Sequence, residues 1–77
     1  MTHTIEITNQ AVFKAIKDGR KSFLLIKDER NYIVGDTLAF QILSDREEVI
    51  RIIEFLEVDI PGLKKDFILL GIKQKED

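Results

Sequence analysis

The sequence predicts an α+β fold: a small, mostly antiparallel β-barrel of about five strands, with one short helix after the first strand. Three observations carry this expectation. Alternating or doubly apolar runs occupy residues 2–8, 22–27, 38–43 and 66–73. A single stretch with helical apolar spacing follows the first of them, and Gly19, Gly35 and Pro61-Gly62 punctuate short connections.

The elements follow in order. In "THTIEIT", His3, Ile5 and Ile7 share one side while Thr4, Glu6 and Thr8 share the other, the pattern of a half-buried strand. In "TNQAVFKAIKDG", Thr8 or Asn9 can cap a helix whose stripe is Val12, Phe13 and Ile16, and Gly19 supplies a left-handed stop. "SFLLIK" is apolar on both faces, which predicts a strand inside a barrel rather than at a wet edge. "DERN" is turn material, Gly35 suits a tight turn, and a strand follows from Leu38 to Leu43.

The segment "SDREEVIRIIEFLEVD" supports two readings. Asp45 with Glu48 makes a capping pair, and Val49, Ile52, Ile53 and Leu56 fit a helix. The β-branched cluster Val49, Ile50, Ile52 and Ile53 fits a strand. "IPGLKK" is a turn, "DFILLGIK" is a last strand, and "QKED" is a solvated tail.

Seventy-seven residues suit one domain, residues 1–77, near the lower limit for an unstapled core. The absence of cysteine excludes disulfides and thiolate metal sites. An apolar share of 44% and a charged share of 34% describe a folded chain. No apolar run approaches the ~20 residues that span a bilayer, and "MTHTIEIT" lacks a basic region before an apolar block, so no membrane association and a cytoplasmic location are expected. The net charge of -2 is unevenly spread. Gln10–Arg30 holds six basic residues against three acidic, whereas Asn31–Leu63 holds two against seven. A two-signed molecule can bind an anion on one face and repel it elsewhere.

Phosphate-binding glycine loops, nucleophile elbows and paired-histidine metal helices are absent from the sequence, so no cofactor and no metal are expected. His3, the only histidine, suits a hydrogen-bonding position at a pocket rim or a half-buried place satisfied by backbone. The corner "GRKS" combines Arg20, Lys21 and Ser22. Two cations at a helix C-terminus complement its dipole, and the same placement puts two cations and a hydroxyl where a phosphate or base edge could bind. Lys27 and Arg30 in "KDER" form local ion pairs or face a phosphate; Tyr32 stacks on a base or belongs to the core; Lys17 joins His3 and Tyr32 as a candidate for the cleft rim.

The string "THTIEI…VFKAIKDGRKSFLLIKDERNYIVGDTLAF", followed by "GLKKDFILLGI", resembles the ASCH-like (activating-signal-cointegrator homology) domains of the PUA-like superfamily, many of them of unknown function. The resemblance spans nearly the whole chain and rests on the Gly-x-Lys turn and on Val-Gly-Asp at this separation. It implies a PUA-like barrel, makes residues 47–58 a strand, and implies a cleft beside the Gly-x-Lys turn for RNA or a modified nucleoside. His3, Gly19, Lys21, Ser22, Lys27, Arg30, Gly35 and Asp36 stand at matching positions.

Two departures shape the functional expectation. Leu24 and Ile26 stand where relatives carry Glu and Arg. Catalytic relatives that deacetylate N4-acetylcytidine use a lysine, a strand threonine and a glutamate. Lys21 matches the lysine, but Leu24 occupies the threonine position and "EVDIPGLKK" leaves no insert for the glutamate. Amide hydrolysis needs an activated nucleophile and oxyanion stabilisation. The expectation is therefore a non-catalytic RNA- or nucleotide-binding module using Arg20, Lys21, Ser22, Lys27 and Arg30. The alternatives are a protein-interaction domain presenting Leu24 and Ile26, or a reduced amidohydrolase.

Overall fold

In the computed structural model, which describes residues 1–74, the chain runs β1 (Thr2–Glu6), α1 (Gln10–Lys17), β2 (Phe23–Lys27), β3 (Thr37–Ile42), β4 (Glu47–Glu57) and β5 (Phe67–Gln74). The strands form one sheet in the order β1-β3-β4-β5-β2. β1 runs parallel to β3, and the other three ladders are antiparallel. The result is a half-barrel of mixed strands. The expected closed barrel is corrected: β1 and β2 end the order as edges and the sheet stays open between them. No helix among the described residues is long and apolar enough to cross a membrane.

α1 forms where the capping chemistry predicts. Asn9, not Thr8, is the cap, its Oδ1 accepting from the Ala11 and Val12 N–H groups at 2.9 and 3.2 Å. Gly19 ends the helix at φ 79°. Eight residues are too few for a helix to persist alone in water. Phe13 and Ile16 join one buried cluster with Leu38, Phe40 and Ile42 of β3, Val49 and Ile53 of β4, and Ile68, Leu70 and Ile72 of β5. Fully burying a side chain such as Ile16 or Phe40 contributes roughly 1.5–3 kcal/mol.

Residues 47–57 are a strand, the reading favoured by β-branching. β4 pairs on both sides, so its backbone groups are satisfied in the sheet. Asp45 caps nothing; it lies in the turn before β4, with Arg46 at φ 52°. A register shift between Ile53 and Phe55 lets Ile53 face the core while Phe55 faces outward.

β2 corrects a second expectation. It is a wet edge, not an interior strand, because a chain this small covers only one face of its sheet. Leu24 is buried and Ile26 packs against the core, while Phe23 and Leu25 on the other face are each 48% exposed. Of the expected tail, Gln74 is the last residue of β5, opposite Arg51, and the other three residues lie outside the described residues.

Candidate functional site

The helix end, the start of β2 and the end of β5 meet at one corner of the sheet. There they enclose a notch of about 250 Å³, lined by Gly19, Lys21 and Ser22, by Arg51 of β4, and by Ile72, Lys73 and Gln74 of β5. Three cations and a hydroxyl face this space, and none of these lining residues is acidic.

The backbone builds the corner. After Gly19 reverses the chain, the Lys21 N–H donates back to the Ala15 carbonyl at 3.0 Å, and the Ser22 carbonyl accepts from Ile72 N–H at 2.8 Å. Lys21 is thereby held between helix and sheet. Its Nζ lies 4.7 Å from the centroid of the Phe23 ring, within cation–π range.

Arg51 occupies the core-facing register of β4 between Val49 and Ile53. Its Nη2 donates to the Ile16 and Lys17 carbonyls at 3.0 and 3.2 Å, and Nη1 donates to its neighbour Ile50 O at 2.7 Å. The guanidinium thus supplies a donor to the Lys17 carbonyl, shares the Ile16 carbonyl with the Gly19 N–H, and offsets the negative dipole of the helix end. Among the described residues, Lys21, Arg51 and Lys73 have no carboxylate partner within ion-pair distance.

The expected site residues are divided by the fold. Lys21 and Ser22 line the notch, while Arg20 beside them points to Asp18, 3.3 Å away. Lys27 is the last residue of β2, six positions from Lys21 and so about 20 Å away along extended chain. It pairs with Glu29 at 3.5 Å. Arg30 donates to the Thr4 carbonyl and so tethers the β2–β3 connection to the edge strand β1. Lys17 is bonded to Glu47, which raises its pKa, and lines a separate groove of about 210 Å³ between α1 and the β3–β4 hairpin. That groove also presents Asp18, Asp45 and Glu47, so an anion there would meet carboxylates.

His3 and Tyr32 form a third group, away from the notch. The His3 Nε2–H donates to Asp36 Oδ2 at 2.9 Å, both residues being buried. Asp36 also accepts from the Ile33 N–H at 3.1 Å and from the amino group of Met1. The His3 hydrogen bond is the main cause that holds the Asp36 carboxyl below the ordinary carboxylate range, against the opposing effect of burial. Tyr32 tilts against His3 with ring centroids 4.6 Å apart. Burial, the largest cause, raises its phenol pKa. Gly35 makes this arrangement possible: at φ 96° it sits third in the turn closed by Asp36 N–H to Ile33 O, a conformation that side-chain-bearing residues resist.

Sequence reasoning missed Arg51 and Lys73. A signal for Arg51 existed: a lone cation between Val49 and Ile53 in strand register has to find acceptors once buried. Lys73 carries no local signal, since only the β5–β2 pairing brings it beside Lys21. Leu24 and Ile26, which the protein-interaction alternative would present at the surface, belong to the core, and the exposed apolar side chains are their neighbours Phe23 and Leu25.

Residues 2–72 match the family described as a domain of unknown function, DUF3850, and the chain belongs to that family. No curated protein matches it.

Proposed function

We propose that this DUF3850 domain is a non-catalytic, PUA-like RNA- or nucleotide-binding module of ASCH-like kind, whose phosphate site is the notch at the helix end. One observation carries the reading: Lys21, Arg51 and Lys73 converge there with Ser22, with no carboxylate in the lining among the described residues. The net charge of -2 repels a polyanion overall, so a local cluster of cations is where phosphate affinity concentrates. Lys21, Lys73 and Ser22 supply the donors. Arg51 supplies charge, since its guanidinium is already engaged by the helix carbonyls. The short helix after the first strand and the Gly-Arg-Lys-Ser corner support the PUA-like assignment.

The experiment is a titration of labelled single-stranded RNA across a salt series. Three phosphate contacts on a single strand correspond to a log–log salt slope of about -2. A variant carrying Lys21→Ala and Lys73→Ala is expected to bind more weakly and to flatten that slope by about 1.4. Arg30→Ala, remote from the notch, is expected to leave the slope unchanged. Absence of binding by the wild type at low salt overturns the reading.

A further inference from the structure

Beside the notch, on the face of the sheet turned away from the core, Gly71 of β5 is flanked by two aromatic residues. Its register partner in β2 is Phe23 and its partner in β4 is Phe55. The Phe55 ring covers the glycine: a Cβ at position 71 would stand 2.0 Å from its Cε1. Both rings remain open, at 48% and 44% exposure. Lys21 Nζ hovers over Phe23, and Lys73 follows Gly71 by two residues on the same face of β5.

We propose that this face is a stacking platform for the unpaired nucleobases of a single strand whose phosphates lie in the notch. The inference rests on the phosphate-site reading and extends it to the kind of nucleic acid recognised. Charge along the patch selects the occupant. Among the described residues, unpaired cations stand at the notch end, at Lys21 and Lys73, whereas the far end of the same face carries Glu57, opposite Leu69, and a Lys27 already paired with Glu29. A strand laid with bases on Phe23 and Phe55 therefore leads its phosphates toward the notch and away from Glu57. An apolar protein segment would instead strip water from Lys21 and gain nothing from the cations. Aromatic rings beside a basic groove bind bases without sequence preference, because every base presents a π-face. A duplex, whose bases are already stacked on one another, cannot use the platform.

The test compares a short oligoadenylate, as RNA and as DNA, with its duplex and with an abasic phosphodiester chain of equal length. Either oligoadenylate is expected to bind at least about tenfold tighter than the abasic chain, the lower part of what base–aromatic stacking supplies. Phe23→Leu and Phe55→Leu are expected to erase much of that difference, while loss of Lys21 and Lys73 weakens both ligands alike. Phe55→Trp preserves a ring and reports directly: its indole fluorescence should be quenched when oligoadenylate binds, even if the leucine variants prove unstable. Equal affinity for the oligoadenylate and abasic chains, or binding without quenching, overturns the platform and leaves the phosphate site standing. Binding of neither chain at low salt overturns the phosphate site and the platform with it. A dimer of the wild type abolished by Phe55→Leu overturns the platform in favour of a second copy of this chain.

Discussion

Arg51 at the middle of the sheet donates a 3.0 Å hydrogen bond to the carbonyl of Ile16, the residue most deeply buried on the helix. The bond spans 35 residues of sequence and ties an eight-residue helix to a strand that pairs on both sides. It places a cation at the negative end of α1 and forms the floor of the notch.

Arg51→Met should therefore act on stability first. It removes the side-chain donor to the Lys17 carbonyl and leaves the Ile16 carbonyl only the Gly19 N–H, at about 1–3 kcal/mol. Chemical denaturation should show that loss, with Arg51→Lys recovering part of it. The salt slope for RNA should change less than in the variant lacking Lys21 and Lys73, because Arg51 is already committed to the helix.

Phe55 and Gly71 should be energetically coupled. Gly71→Ala drives a methyl into the Phe55 ring, but the ring is half-exposed and can swing outward. The expected cost is about 1 kcal/mol, the mild end of overpacking. In a Phe55→Leu background the same change should cost much less. A double-mutant cycle measures the difference, and additive costs would show that the two residues do not press on each other.

Asp36 makes the fold acid-sensitive in a defined window. Its folded-state pKa is lowered, chiefly by the His3 hydrogen bond, so its contribution is complete above the unfolded carboxylate value of about 3.9. That contribution disappears as pH falls through the lower folded-state value. Asp36→Asn should lower Tm near neutrality and flatten its dependence on pH below about 4 relative to the wild type. Parallel Tm curves for the two proteins across that range would contradict the assignment.

Tyr32 is the only tyrosine, so its ionisation can be followed without interference. Burial raises its folded-state pKa, which makes the neutral phenol the form the fold accepts. Its stabilising contribution is present below the unfolded value of about 10 and fades as pH rises past it. Phenolate absorbance should appear at a higher pH in the native protein than in the denatured chain. Tyr32→Phe should make stability less dependent on pH in that alkaline range.

Local chemistry was readable wherever one element decides it. Asn9 and Gly19 bound α1 because a side-chain acceptor and a left-handed backbone act within a few residues. Gly35 sits in its turn for the same reason. The β-branched cluster in β4 pointed to strand, and the Lys21–Ser22 corner does face a notch. Lys27 and Arg30 looked like companions of Lys21 because they are near it in sequence. Extended chain carried Lys27 to the far end of β2, and the following connection gave Arg30 to the edge of β1.

By itself the sequence determined the helix, the turns, an uneven distribution of charge and every strand but β4, whose local signals fitted helix and strand alike, since propensity and periodicity act over neighbouring residues. Strand order belonged to the tertiary structure. It left β2 at an edge, turned Leu24 inward and Phe23 outward, and brought Lys73 and Arg51 to Lys21 from strands dozens of residues away. The physical reason is that an apolar run states only that a strand can be buried. Which of its faces loses water depends on the area of the single layer available to cover it, and in a chain this short that layer covers one face.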